Sequence, residues 1–243
     1  MTSASLSDQR LLIDLQQLDS QLARLVHERH DLPVLARIEA TVGELKANKR
    51  DAVVAAASLA EAKREATHAD DEVAKVVHRA AALRELLSSG AAGARDLTAI
   101  QGEIDQLGRR QGDLEEAQFA AMEALERAQA EVDRLAQSEQ EVRAAGRELT
   151  AERDAEFARI DAELRDTQSR RDALASAIPA DLLAEYDDVR RATGGLGAVA
   201  LYGRRVEGNV EISPQEHARI AAAPQDQVIH AEDNDVILVR MED

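Results

Sequence analysis

Apolar residues recur at alternating spacings of four and three along most of this chain. The first run lies at Leu11, Leu15, Leu18, Leu22 and Leu25. Such heptad spacing buries one stripe of an α-helix against a partner helix. A similar run starts at Leu35 and, after a slip of one residue in the polar stretch 46–51, continues to Leu87. Pro33 separates the two runs, and because proline cannot continue a helix from inside, a break or kink is predicted near residues 30–34.

A third apolar run begins at Leu97 and ends before Pro179. Between the second and third runs, residues 88–93 read SSGAAG, and these glycines suit a helix C-terminus followed by a turn. Asp96 is predicted to cap the helix that follows. Two long helices joined by a short turn predict an antiparallel coiled-coil hairpin over residues 1–178, with its turn at about 88–96. A parallel dimer of long helices is the alternative interpretation.

Two irregularities are predicted to face each other in this hairpin. The third run changes phase between Leu149 and Phe157. If the turn is centred near Ala92, Pro33 lies opposite about Ala151, beside that phase change. Two breaks of periodicity at one level predict a kink or hinge near residues 30–34 and 149–157, separating a short base from a longer outer arm.

The segment 179–243 has a different pattern. A short helix is predicted over 180–190, followed by a glycine-rich joint. Ser213 to Glu216 form a capping box with proline at the first helical position, which predicts a helix to about residue 222. Short strands are predicted at 198–202, 227–230 and 236–240. The expected fold class is therefore mainly α, a long hairpin with a small C-terminal ribbon-like β (α+β) domain, preceded by a linker helix.

Composition and charge narrow the range of functions. The chain holds two Phe, two Tyr, no Trp and no Cys, so disulfides, thiolate metal sites and cysteine nucleophiles are excluded. Its formal net charge of −17 disfavours nucleic acid and anionic membranes as general partners. The N-terminus lacks the basic and apolar regions of a signal peptide, and no run is apolar enough to span a membrane. A bacterial, cytoplasmic protein is expected.

Two stretches of the sequence resemble a known bacterial family. Residues 94–107 read ARDLTAIQGEIDQL, and residues 178–186 read IPADLLAEY, followed by the glycine joint and by ILVR at 237–240. In this order they resemble the coiled-coil-hairpin proteins with a C-terminal four-cysteine zinc ribbon. The resemblance implies that some members act as adaptors or as chaperone-like escorts of secretion, flagellar or transcription components. Other members, especially actinobacterial ones, have no settled role.

The chain departs from this family at the metal site. The four positions where the resemblance implies cysteine are occupied by Val206, Asn209, Ala231 and Asn234. Val and Ala offer no ligand atom and Asn is a poor zinc ligand, so a degenerate ribbon without metal or other cofactor is expected. Val206 and Ala231 are predicted to pack inward and partly replace the metal. A makeshift metal site of His217 and His230 with nearby Asp residues is the alternative to a solvated surface.

Three further sets of residues are candidates for function. A basic contact for an anion, a nucleic acid or an acidic partner is predicted at Arg190, Arg191, Arg204 and Arg205. Because loop tips often carry binding function, a contact at the hairpin tip is predicted at Leu87, Ala91, Ala92 and Leu97. Hinges are predicted at Pro33, Gly194, Gly195 and Gly197.

No spacing of Ser, His or carboxylate residues forms a catalytic set, so an enzyme is not expected and no small-molecule substrate is implied. The sequence favours a non-enzymatic interaction or adaptor protein that presents tip and tail to a protein partner. The alternative is a nucleic-acid-binding protein that uses the ribbon-like tail and its arginines. No membrane partner is expected.

Overall fold

A computed structural model describes residues 3–90, 93–207 and 212–241. Its helices and strands are, in chain order, α1 (Leu6–His30), α2 (Pro33–Ser88), α3 (Ala94–Ala175), α4 (Ala180–Ala192), β1 (Ala198–Tyr202), β2 (Arg205–Val206), α5 (Pro214–Ala222) and β3 (Ile237–Met241). The predicted fold class is confirmed: the fold is mainly α, a long helical hairpin with a small C-terminal sheet of three strands. None of the described helices combines the length and the apolar character that a membrane span requires.

The helix ends follow local chemistry. Ser5 caps α1, its hydroxyl accepting a hydrogen bond from the Asp8 amide at 3.1 Å. Helix α2 starts with Pro33, where the missing amide hydrogen costs nothing. The prediction that Asp96 caps α3 is wrong, because α3 already begins at Ala94 and the Asp96 amide donates to the Gly93 carbonyl at 2.9 Å. Helix α3 runs without interruption through the phase change at 149–157.

The chain divides into two compact units, which we call the arm (Ala36–Thr150) and the base unit (Met1–Leu35 with Ala151–Asp243). The sequence places a domain boundary at 178/179 instead, at the end of the third apolar run. The base unit combines α1, the C-terminal part of α3 and all the described segments of the tail. In the arm, α2 and α3 meet along a seam to which α2 contributes mostly alanine and α3 larger aliphatic side chains. The buried apolar residues of this seam are Ala55, Ala62, Ala66, Val76, Ala80, Leu83, Ile104, Leu135 and Leu149.

The base unit has two apolar clusters on opposite faces of its sheet. In the sheet the strand order is β2–β1–β3, with β1 parallel to β3 and antiparallel to β2. The first cluster packs α1, the end of α3 and α4 against one face; its largest members include Leu12, Leu15, Leu182, Tyr186 and Ile237. The second covers the other face with Val199, Leu201, Ile220, Ile229, Ala231, Val236 and Leu238.

The strand predicted at 227–230 is not a regular strand. Only isolated bridges occur there, Ser3 with Gln227 and His230 with Ile237. The segment lies beside β3, where the Leu238 amide donates to the Ile229 carbonyl at 2.8 Å, but the turn at 231–235 leaves too few paired residues for a ladder. The strand predicted at 198–202 coincides with β1, and the helix predicted from Pro214 to Ala222 coincides with α5.

Candidate functional site

A buried carboxylate joins three helices of the base unit. Asp19 on α1 is only 2% exposed. Its carboxylate accepts from Arg171 Nε on α3 at 3.0 Å and from the Tyr186 hydroxyl on α4 at 2.9 Å, and Arg190 Nε lies 3.4 Å away. The two guanidinium groups and the phenol surround the Asp19 carboxylate and compensate for the hydration that it loses on burial. This arrangement stabilises the packing of the helices and leaves Asp19 no open side for a substrate.

Burial changes the proton affinities in this cluster. Desolvation, and then the neighbouring charge of Asp19, raise the pKa of Tyr186 far above its usual range, so the phenol stays protonated as a donor. Burial acts to lower the pKa of Arg171, but its hydrogen bonds to Asp19 and its attraction to Asp187 outweigh that effect and raise it. Tyr186 and Arg171 therefore both act as protonated donors to the carboxylate at neutral pH.

Gln16 connects α1 to the glycine-rich joint. Its side-chain oxygen accepts from the Gly197 amide at 2.6 Å, and its amide nitrogen donates to the Gly195 carbonyl at 3.0 Å. Gly194 and Gly195 have positive φ angles of 75° and 132°, and a Cβ at Gly197 would clash with the Tyr186 ring. The glycines thus provide a tight turn and a close approach, and these contacts speak against a flexible joint at this point.

The four candidate arginines have different surroundings. Arg190 is engaged by Asp19, and Arg191 pairs on the surface with Asp188 at 2.8 Å. Arg204 and Arg205 follow β1 and are exposed. The Arg205 guanidinium lies 5.7 Å from the centre of the Tyr202 ring. Among the described residues no hydrogen bond or ion pair joins Arg190 or Arg191 to Arg204 or Arg205, and a common basic patch stays a prediction.

Two of the four positions compared with ribbon cysteines are apolar. Ala231 is 3% exposed in the second cluster, and Val206 packs against that cluster half-buried. Asn234 is exposed, and its side-chain oxygen accepts from the Val236 amide at 3.3 Å. Asn209 lies outside the described residues. Within the described ranges, no three His, Asp or Glu residues are placed to hold a metal ion.

The two tail histidines are engaged in hydrogen bonds. His230 Nε2 lies 2.7 Å from Glu185 Oε1, and His230 Nδ1 lies 2.8 Å from the Asp235 carbonyl oxygen. His217 Nε2 lies 2.8 Å from the Gly203 carbonyl oxygen. His230 is half-buried and links α4 to the turn at 231–235, so a freely solvated side chain is the wrong description for it.

At the hairpin tip, Leu87 and Leu97 are half-buried, and Ala91 and Ala92 lie outside the described residues. Helix α2 ends at Ser88 and α3 begins at Ala94, so the turn falls in the range predicted from the glycines. A partner contact at the tip stays a prediction, as does a hinge at Pro33.

An apolar pair on the arm escaped the sequence analysis. Phe119 is 64% exposed and Met122, one turn further along α3, is 48% exposed. Residues 113–126 include five acids, Asp113, Glu115, Glu116, Glu123 and Glu126, and the next residue, Arg127, pairs with Glu123 at 3.5 Å. We call Phe119, Met122 and these acids the arm patch. A signal was present, because one of only two Phe residues falls outside the heptad positions Leu114, Ala121 and Leu125.

A cleft of about 450 Å³ lies between α1 and β1 in the base unit. The α1 side presents a row of polar side chains, Gln17, Ser20, Gln21 and Arg24, and the strand side consists of residues 198–200. Glu207 also lines it. We call it the α1–β1 cleft. It also escaped the sequence analysis, because heptad periodicity assigns these α1 residues to a solvated face and does not show that the tail packs beside them.

Comparison with known proteins agrees with this architecture. The sequence model of the CT398-like coiled coil hairpin domain matches residues 15–194. The uncharacterized protein Rv2229c of Mycobacterium tuberculosis is 33% identical, and the match covers 98% of each chain. A structure from Mycobacterium smegmatis superposes with a TM-score of 0.81 at 31% identity, over 98% of this chain and all of that one.

A more distant structure shares the fold. CT398 from Chlamydia trachomatis has a TM-score of 0.64 at 14% identity, over 97% of this chain and 98% of that one. The family resemblance expected from the sequence is thus confirmed for the coiled-coil hairpin, while its zinc-ribbon part stays an expectation. The chain belongs to the family of proteins with a CT398-like coiled coil hairpin domain.

Proposed function

We propose that this protein is a non-enzymatic adaptor whose hairpin presents contact surfaces to a protein partner. The observation that carries the proposal is the arm patch. Phe119 and Met122 stay largely exposed one turn apart on α3, and exposed apolar groups in contiguous patches mark interaction sites. Phe and Met are enriched at protein interfaces. The family assignment supports a coiled-coil hairpin protein and is compatible with this role.

The charge around the arm patch indicates the kind of partner. Five carboxylates lie between residues 113 and 126 of α3, and within the described ranges only Glu123 pairs with a neighbouring arginine, Arg127. The remaining negative charge favours a partner surface that combines an apolar pocket with Lys or Arg at its rim. The same charge repels phosphate backbones, which weakens the nucleic-acid alternative for this surface. The exposed Arg204 and Arg205 remain the residues on which that alternative depends.

The proposal is tested by co-purification of the tagged full-length protein from its host, with and without nuclease. We expect a protein partner that survives nuclease and is lost with the double variant Phe119→Ser, Met122→Ser. The matched control is Val53→Ser, Val54→Ser, an exposed apolar pair on α2 without the acidic surroundings. Because the contact is mainly apolar, raising the salt is expected to weaken it only modestly.

Two results would contradict the adaptor proposal. One is a partner retained equally by the Phe119/Met122 variant and the control. The other is recovery of RNA or DNA that disappears with nuclease and with Arg204→Ala, Arg205→Ala, which would favour the nucleic-acid-binding alternative.

A further inference from the structure

The α1–β1 cleft has the dimensions and the donors of a peptide site. Gln17 and Gln21 are four residues apart, about 6 Å along the helix axis. Alternate residues of an extended chain repeat at about 6.7 Å. Two primary amides at this spacing match successive backbone groups on one edge of an extended peptide, because each amide both donates and accepts. The facing residues Ala198 and Ala200 have short side chains, so the strand side adds little bulk.

The donors on the α1 side are not used elsewhere. Gln16 is saturated by the glycine joint and by Tyr186. In contrast, Gln17, Gln21 and Arg24 make no hydrogen bond or ion pair with another of the described residues. On the strand side, β2 pairs only with Leu201 and Tyr202 of β1. Residues 198–200 therefore border the cleft beyond this paired part of the strand.

Charge gives the cleft a direction. The start of β1 lies beside Gln16, whose side-chain oxygen is 3.4 Å from the Ala198 amide. Further along, Arg240, which is in register with Leu201, accepts through its carbonyl from Arg10 Nε at 3.5 Å. Strand β1 therefore runs antiparallel to α1. Glu207, whose amide donates to the Ala200 carbonyl at 2.8 Å, lies toward the N-terminal end of the α1 row, and Arg24 stands at the opposite end.

We propose that the α1–β1 cleft binds the extended C-terminal segment of a partner protein, with the terminal carboxylate at Arg24. From residue 13 to residue 24 the helix spans about 16 Å, room for about five extended residues. Gln17 and Gln21 bond the peptide backbone, and Glu207 favours a basic group nearer its N-terminal side. A chain terminus fits because Arg24 is the last residue of α1 that lines the cleft, so the paired charge lies where the bound segment ends.

This inference rests on the proposed adaptor function but concerns a surface separate from the arm patch. The test uses the full-length protein and two synthetic hexapeptide pools that are randomised identically. One pool has free C-terminal carboxylates and the other is amidated. Peptides retained by the protein are identified by mass spectrometry, and their affinities are measured by fluorescence anisotropy. Methyl resonances of Ile13, Val199 and Leu196 report whether a peptide occupies the cleft.

We expect the free-carboxylate pool to yield binders and their amidated forms to bind roughly tenfold more weakly, as expected for loss of a charge-assisted pair. Arg24→Glu is expected to reduce affinity by at least about tenfold, and Arg24→Lys to retain most of it. Gln17→Ala with Gln21→Ala is expected to weaken binding severalfold. The control Arg109→Glu changes an exposed arginine of the arm and leaves affinity unchanged.

Three results would overturn the inference: no binders in either pool, equal binding of free and amidated peptides, or full affinity in Arg24→Glu. The adaptor proposal fails differently. If co-purification yields a partner that depends on Phe119 and Met122 while no peptide pool binds, the adaptor function stands and the cleft has no role in it. If peptides bind through Arg24 but no partner depends on the arm patch, the cleft site stands and the arm patch does not.

Discussion

The arm and the base unit hold helices together by different means. In the arm, α2 contributes mostly alanine to the seam, so each heptad buries little apolar area and the helices approach closely. In the base unit, large side chains such as Leu12, Leu182 and Tyr186 are fully buried, and a polar network around Asp19 crosses three helices. The difference teaches that the arm depends on a largely repetitive interior, while the base unit depends on individual contacts.

Polar burial also differs between the two units. Asp19 is surrounded by partners on three sides. In the arm, Asn48 is 8% exposed and donates to the Leu135 carbonyl at 3.2 Å, but its side-chain oxygen is buried without a partner among the described residues. The Asp19 network rigidifies its core although, among the described residues, Arg190 Nε makes only the 3.4 Å ion pair and no hydrogen bond. The half-satisfied Asn48 in a helical seam costs stability and disfavours alternative registers.

The largest expected effect comes from breaking the base network. Asp19→Ala removes the carboxylate that Arg171, Arg190 and Tyr186 share, although Arg171 keeps Asp187 and the Tyr186 hydroxyl keeps Gln16. We expect a loss of about 3–5 kcal/mol in the free energy of unfolding. Tyrosine near-UV circular dichroism measures this for the base unit, because Tyr186 and Tyr202 are the only tyrosines and both lie there. Asp188→Ala, which breaks only the exposed pair with Arg191, should cost less than about 1 kcal/mol. Equal losses of stability in the two variants would contradict the expectation that the buried Asp19 contributes more than the exposed Asp188.

A second test targets the close approach at the glycine joint. Gly197→Ala places a methyl group against the Tyr186 ring, and we expect a destabilisation of about 1–3 kcal/mol from overpacking. Gly43→Ala is the control, because that helical position in the arm has open space and alanine should stabilise it by up to about 1 kcal/mol. Urea unfolding, followed by the tyrosine and far-UV signals, measures whether Gly197→Ala destabilises the protein and Gly43→Ala stabilises it. A neutral Gly197→Ala would argue for a mobile joint, as the sequence predicts.

A third test is expected to raise the stability of the arm, whereas the first two lower that of the base unit. Asn48→Leu removes a buried oxygen that lacks a partner, and we expect a gain of about 1–2 kcal/mol in arm stability, since apolar replacement of a poorly satisfied group is often stabilising. Thermal unfolding by far-UV circular dichroism measures the gain. The expected cost is a less unique register, visible as broader spin-label distance distributions between α2 and α3. A loss of stability would show that the Leu135 bond outweighs the buried oxygen.

The smallest expected effect is on the stability of the arm patch. Phe119→Ser and Met122→Ser remove exposed side chains, so each should change the free energy of unfolding by less than about 0.5 kcal/mol. Chemical unfolding of each single variant checks this. A loss of several kcal/mol would mean that these residues support the arm itself, and the co-purification result would then have to be attributed to structure.

Local sequence signals predicted the elements well where they are self-contained. Ser213 and Pro214 start α5 because a hydroxyl cap and a proline at the first helical position act within one turn. The Ser88–Gly93 stretch separates α2 from α3 for the same reason. The second half of the capping box differs: Glu216 is buried and its carboxylate accepts from the Glu232 amide at 2.9 Å, a contact across the fold that outweighs the local bond.

Long-range contacts account for the residues that the sequence analysis missed. Asp19 and Gln16 lie outside the leucine stripe of α1, so periodicity assigns them to solvent, yet α4 and the glycine joint cover them. The packing of the tail against α1 also forms the α1–β1 cleft beside Gln17 and Gln21. Arg190 falls in a pair of arginines that suggests a basic surface, but Asp19, distant in sequence, takes up its charge.

By itself, the sequence determined that this protein is a long helical hairpin with a small C-terminal module, because heptad periodicity, proline and glycine act through neighbouring residues. It also determined the absence of thiolate chemistry, since no cysteine exists. Only the tertiary structure decided that the tail, α1 and the end of α3 share one core and that Asp19 is buried. Those features depend on which surfaces meet, and burial and charge pairing between residues far apart in the chain leave no periodic trace.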